Sequence, residues 1–171
     1  MSGAQITIAV DDAATTAILG QLAALMDNMT PVMDEIGGQL VANTQLRFED
    51  GKAPGGTAWK PSLRALQSKG LTLVDSGRLK ASITHEAGPK SVTVGSNVAY
   101  AAIHQFGGTI RSKTAKGLRF KGADGGFRRL KQVVMPARPF LGFDEDDRAA
   151  VTDIVAGHIN RITGGGGAAT A

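Results

Sequence analysis

The sequence predicts an α+β domain: a small, mostly antiparallel sheet with two N-terminal helices and one C-terminal helix packed on it, and a long basic loop inserted between strands. Three observations predict it. Apolar residues recur at helical spacing in two blocks near the N-terminus and one near the C-terminus. Short segments with period-two patterning crowd the middle of the chain, separated by Gly and Pro turns. Long strands do not alternate regularly with long helices, which argues against a doubly wound parallel sheet. With 171 residues the chain reads as one domain over residues 1–163, followed by a flexible glycine-rich tail at 164–171.

Gln5 to Val10 alternates Ile6, Ile8 and Val10 with polar or small residues, the mark of a strand. Asp11-Asp12 then sets carboxylates at the positive end of a helix whose face carries Ile18, Leu22, Leu25 and Met29. Thr30-Pro31 breaks that helix and starts another, with Thr30 as cap and Pro31 in the first position. Met33, Ile36, Leu40 and Arg47/Phe48 carry the second face to about Asp50. Gly37-Gly38 inside it weakens the helix by up to ~1 kcal/mol per glycine relative to alanine, and close packing is a reason to keep them. Residues 51–61 form a Gly- and Pro-rich loop holding the single tryptophan, Trp59, either as a lid on the core or as an interface anchor.

Ser62 to Lys69 reads as a short helix, and Ser76-Gly77 opens another turn or helix with Leu79 and Ile83. Ala81 to Glu86 and Lys90 to Ser96 are strands around the turn Ala87-Gly88-Pro89. Val98 to Phe106 is helical and stops at Gly107-Gly108. Thr109 and Ile110 begin a strand that Gln132 to Met135 resumes beyond the basic segment. Pro136 and Pro139 forbid a continuous helix, and Asp144 to Asp147 open the last one, striped by Val151, Ile154, Val155, Ile159 and Ile162.

Charge is unevenly distributed. Eight basic residues, Arg111, Lys113, Lys116, Arg119, Lys121, Arg128, Arg129 and Lys131, stand against one acid, Asp124, giving this arm +7. The other 11 basic and 14 acidic residues leave the body at −3. The arm reads three ways: a solvated loop, a contact to a nucleic-acid backbone, or a segment that docks on an acidic face of a neighbouring subunit. Phe120 and Phe127 are its only aromatics, too few for a base-stacking surface.

Enzymatic chemistry finds little support. Cysteine is absent, which excludes disulfides and thiolate metal sites. His85, His104 and His158 show no metal-ligand spacing, so no metal or other cofactor is expected. His104, near Tyr100 on a short helix, is expected to hold a structural hydrogen bond. Asp75-Ser76-Gly77 with His104 would supply a nucleophile and a base, yet Asp-Ser-Gly is also an ordinary cap and turn, and no nucleophile elbow is present. Gly55-Gly56 beside Lys52 lacks the Gly-Lys-Ser/Thr end of a phosphate loop. The acids 144–147 miss calcium-loop spacing and suit a helix's first turn. No apolar run approaches the ~20 residues that span a bilayer, and Met1 to Val10 lacks the layout of a signal peptide.

Four ordered segments carry a resemblance: Gly55-Gly56-Thr57-Ala58-Trp59-Lys60-Pro61; the stretch Leu73 to Ile83, centred on Asp75-Ser76-Gly77-Arg78-Leu79; the stretch Val94 to Gly108, centred on Ala99-Tyr100-Ala101-Ala102-Ile103-His104-Gln105-Phe106; and Pro136-Ala137-Arg138-Pro139-Phe140-Leu141-Gly142. Together they resemble the virion morphogenesis proteins of Mu-like phages, related to tail-completion and neck proteins, over roughly residues 30–163. The resemblance implies a non-enzymatic virion part at the head–tail junction or the head-proximal end of the tail, forming a homo-oligomeric ring around the DNA channel. Its implied partners are copies of itself and neighbouring connector, tail terminator or tail tube proteins, with possible non-specific contact to DNA and no membrane. It carries over no catalytic residue. Trp59, Tyr100, His104, Phe106, Arg138 and Phe140 are the expected subunit or partner contacts, and the eight basic residues of the arm the expected contact to DNA or an acidic partner. The N-terminal strand, the basic arm and the glycine tail lie outside the resembling segments.

Overall fold

The computed structural model describes residues 12–121 and 126–164, with the side chains of 120 and 121 left aside. The predicted strand at 5–10 and the tail beyond Gly164 fall outside the described residues. The fold is α+β, as the sequence predicts. Two helices open it, α1 (Ala13–Asp27) and α2 (Thr30–Asp50). Asn28, rather than Thr30, caps the second: its Oδ1 accepts from the Thr30 backbone N–H at 3.1 Å. Pro31 sits in the first turn, where its missing N–H costs nothing. Two short helices follow, α3 (Leu63–Ser68), capped by Ser62, and α4 (Arg78–Ala81). A hairpin of β1 (Ile83–Ala87) and β2 (Val92–Ser96) leads to α5 (Ala101–Phe106). Four strands β3 (Gly108–Arg111), β4 (Leu118–Lys121), β5 (Phe127–Leu130) and β6 (Gln132–Met135) precede the long α6 (Glu145–Gly164).

The strands pair antiparallel in three two-stranded ladders, β1–β2, β3–β6 and β4–β5, instead of merging into one sheet. The basic segment is therefore not a structureless loop. Thr109 and Ile110 do begin a strand that 132–135 completes, and β4 and β5 extend this ladder outward. Between the pairs Arg111↔Gln132 and Leu118↔Leu130, the residues 112–117 face Lys131 alone, so one strand makes an excursion that Gly117 closes at φ +76°.

The hairpin β1–β2 lies on α2, and this contact explains one of the paired glycines. A Cβ on Gly37 would come within 2.3 Å of the His85 ring and 2.8 Å of Val92 Cγ2, whereas one on Gly38 would meet nothing within 4 Å. Gly38→Ala should therefore stabilise the protein by up to about 1 kcal/mol through helix propensity. Gly37→Ala should destabilise it by about 1–3 kcal/mol by overpacking the hairpin. Urea unfolding of the two variants should give shifts of opposite sign; two stabilising shifts would mean that the hairpin is free to move off α2.

One core joins the elements. Phe48 of α2, Trp59 of the loop, Leu79, Ile83, Val98, Ala101 and Phe140 pack together. All but Phe48 come from the four segments that carry the family resemblance. α1 buries no side chain. Its predicted face does turn inward: Leu22, Leu25 and Met29 line an apolar groove against Val32, Val155 and Ile159.

Candidate functional site: a cationic pocket and a basic ribbon

The six predicted contact residues divide between core and surface. Phe140 is fully buried and packs on Phe48 at 5.1 Å between ring centroids. Trp59 meets Phe48 edge-on at 5.6 Å and donates from Nε1 to the Pro139 carbonyl at 2.8 Å. Of the two readings of Trp59, the core lid is the one observed. Arg138 is also buried, at 4% exposure. The Trp59 and Phe140 side chains offer little or no surface to a partner, because the loops that carry them fold inward onto α2. Phe106, by contrast, is 78% exposed at the end of α5, and Tyr100 is exposed as well.

Gln105 is the residue that sequence reasoning missed here. Its Oε1 accepts from the backbone N–H groups of Phe140 and Leu141 at 2.9 and 3.0 Å, and its Nε2 donates to the Leu141 carbonyl at 2.7 Å. The Arg138 N–H also donates to the His104 carbonyl at 2.7 Å. The irregular 136–142 segment is thus held along α5 much as an extra strand would be, and its backbone groups are satisfied without a ladder.

Beside this junction lies a half-open cavity of about 310 Å³. Arg64, Arg78 and Arg138 line it with Asp75, Ser76, Tyr100 and His104. Arg64 approaches Asp75 at 3.6 Å and donates to the carbonyls of Leu71 and Val74 at 2.7 and 2.8 Å. His104 stands edge-on to Tyr100 at 5.9 Å. The expected structural hydrogen bond is not made by its ring nitrogen Nδ1, which is buried and has no partner among the described residues. Burial, and then the positive charge of Arg138, push the His104 pKa below its ordinary value, so the imidazole is held neutral. Ser76 shares the cavity, but its Oγ accepts from the Arg78 N–H at 3.4 Å, the geometry of a local turn.

The acids that open α6 also behave differently from a solvated first turn. Asp144 and Asp147 bond each other's backbone N–H groups reciprocally, both at 3.1 Å, a capping-box arrangement. Asp147 is fully buried and, with Asp144, ion-pairs with Arg47. Only Glu145 and Asp146 are left as solvated acids. Gly55 donates its N–H to Asp144 Oδ2 at 3.2 Å, which ties the Gly-rich loop to the same point. Among the described residues no cluster of three potential metal ligands forms, and no helix is long and apolar enough to cross a membrane.

The ribbon is the third feature. Both β3 and β5 are exposed along their whole length. The ribbon strands pack chiefly on one another rather than on the body. Arg119 and Arg129 are directly opposed across β4 and β5, and the Arg119 guanidinium stacks over the Phe127 ring at 3.8 Å.

The phage virion morphogenesis family matches residues 10–160 of the chain. The chain belongs to this family. The match reaches further than the resembling segments and takes in α1 and the basic ribbon. A Haemophilus influenzae protein, "Mu-like prophage FluMu G protein 2", is 36% identical over 138 residues, which cover 81% of this chain and 83% of that protein. No solved structure matches. Membership in the virion morphogenesis family gives the chain a structural or assembly role in a bacteriophage.

Proposed function

We propose that this protein is a non-catalytic structural component of the phage particle, a ring-forming tail-completion or connector subunit at the head–tail junction or the head-proximal end of the tail. The observation that carries this reading is the ribbon. A two-stranded hairpin is at best marginally stable alone in water, and like charges directly opposed across strands destabilise it further. Arg119 opposite Arg129, on a ribbon that packs chiefly on itself, is an arrangement that a surface of negative charge would relieve. The acidic body of a second copy offers such a surface, and a cyclic assembly repeats that heterologous contact until the ring closes. Exposed Phe106, Phe127, Leu130 and Val134 add apolar area along the same stretch. A structural rather than catalytic role agrees with the family and with Ser76 bonding within its own turn.

Replacing residues 112–131 by Asn-Gly tests the reading, since this turn type closes a two-residue hairpin and leaves the β3–β6 pairing intact. The variant should fold with an unchanged unfolding midpoint, yet fail to form rings or to complement a phage lacking the protein. A second reading, a basic accessory protein on DNA, is favoured by the same +7 charge. It predicts instead that assembly survives, while a DNA affinity falling with salt at a log–log slope near −5 to −6 is lost.

A further inference from the structure

The two buried arginines of this fold are treated differently. Arg47 has two carboxylates, Asp144 and Asp147, and accepting carbonyls at Phe140 and Gly142. Arg138 is as deeply buried, at 4% exposure, yet the one acceptor of its side chain among the described residues is the Lys60 carbonyl, 2.7 Å from Nε. No carboxylate among the described residues pairs with it. A buried cation without a counter-charge is costly to keep. Arg138 lines the 310 Å³ cavity, where Arg64 and Arg78 add positive charge and Asp75, mostly exposed and drawn to Arg64, is the single acid. His104 lines it too, its Nδ1 buried and without a partner among the described residues.

We propose that this cavity is a carboxylate-binding site built around Arg138, which receives an aspartate or glutamate side chain from an acidic peptide segment of a neighbouring protein. The planar fork of a guanidinium matches a carboxylate in two parallel hydrogen bonds. Arg78, exposed at the rim, draws the anion in. Leu73, Leu79 and Met135 give apolar wall for the stem of the entering side chain. A peptide side chain suits this recess better than a duplex phosphate does. A residue only 4% exposed, at the wall of a recess, is reached by a narrow side chain, while phosphates on a duplex lie along a convex rod that the open ribbon would meet first. The site rests on Arg138 and does not depend on the ring reading.

The test uses the full chain and three probes: the blocked peptide acetyl-Ala-Glu-Ala-amide, its Gln counterpart, and inorganic phosphate. Binding is followed by NMR at the Arg138 Nε–H and the His104 ring. The Glu peptide should shift both signals saturably, with the Gln peptide at least about tenfold weaker. Arg78→Ala, at an exposed position, should fold normally and weaken the Glu peptide by about threefold to tenfold. Arg138→Lys keeps the charge but loses the fork, and should weaken it by about tenfold or more. Equal binding of the Glu and Gln peptides, a response to phosphate without one to the Glu peptide, or unmoved Arg138 and His104 signals would each overturn the proposal. If the ribbon variant failed to block assembly while the Glu peptide still bound here, the ring reading would fall and this site would stand.

Discussion

Replacing Arg47 by Met should cost about 3–5 kcal/mol of stability, because it strands Asp147 as a buried carboxylate without its cation. The guanidinium stands where three parts of the chain meet. Its Nη2 pairs with Asp144 at 2.9 Å and with Asp147, and its Nη1 donates to the Gly142 carbonyl at 3.2 Å. Asn43 Nδ2 donates to Asp147 Oδ1 at 2.8 Å, so a second residue of α2 grips the same carboxylate. One cation and two carboxylates thereby fix the start of α6, the end of the 136–142 segment and α2 in one geometry. The double variant Arg47→Met/Asp147→Leu should recover a large part of the loss, since removing both charges removes the penalty of leaving one unpaired. Urea unfolding of the single and double variants measures this directly. A single-variant loss below about 1 kcal/mol would show that water reaches Asp147 and that the network is not an anchor.

The same region should make the protein acid-labile. Desolvation alone would raise the Asp144 pKa. The backbone N–H donors of Asp147 and Gly55, together with the Arg47 charge and hydrogen bond, outweigh it and hold the pKa below the ordinary carboxylate value. A carboxylate depressed in the folded state contributes stability that is present above its unfolded pKa and lost as pH falls through the folded one. His104, depressed by burial and by Arg138, acts with the same sign at higher pH: the unfolded chain takes up a proton first as pH falls below the ordinary histidine value. Unfolding midpoints measured from pH 8 downward should therefore decline first near the ordinary histidine pKa and again below about pH 4. His104→Gln should abolish the first decline and leave the second.

What could be read from the sequence was the local part. The helices at 13–27, 30–50 and 145–164, the hairpin at 83–96 and the resumed strand at 132–135 all carry their signal in period, cap and turn. The ladder inside the arm was missed because β4 and β5 span four residues each and are dense in Arg and Lys, so the alternation in Leu118-Arg119-Phe120-Lys121 is too short to stand out and β5 has none. Long-range partnership left no trace either. Arg47 and Asp147 are a hundred positions apart, and Asp147 looks like any acid in a helix's first turn. Arg64, Arg78 and Arg138 meet at one cavity only because α3, α4 and the 136–139 segment converge there. Trp59, read as either a core lid or an interface anchor, and Phe140, expected as a partner contact, lie in segments that carry the family resemblance, and those segments supply most of the core. A motif that recurs across a structural family marks what the fold needs as readily as what a partner touches.

Phe140 shows what that distinction is worth energetically. Its ring is completely buried against Phe48, and Trp59 packs edge-on to the same Phe48 ring while bonding the Pro139 carbonyl. Phe140→Ala should cost about 3–5 kcal/mol, the transfer free energy of the ring plus the cavity it leaves. Phe140→Leu, which keeps much of the volume, should cost distinctly less. Because Gln105 clamps the backbone N–H groups of Phe140 and Leu141, the segment should stay in place in both variants, and the cavity lined by Arg138 should persist at temperatures where the protein is still folded. Trp59 is the single tryptophan, so its fluorescence reports this core without labelling. The expected result is an unfolding transition moved to lower urea with the native emission nearly unchanged. If Phe140 worked mainly as a partner contact, truncating it would leave the isolated chain's stability within about 0.5 kcal/mol of the parent and would impair assembly alone.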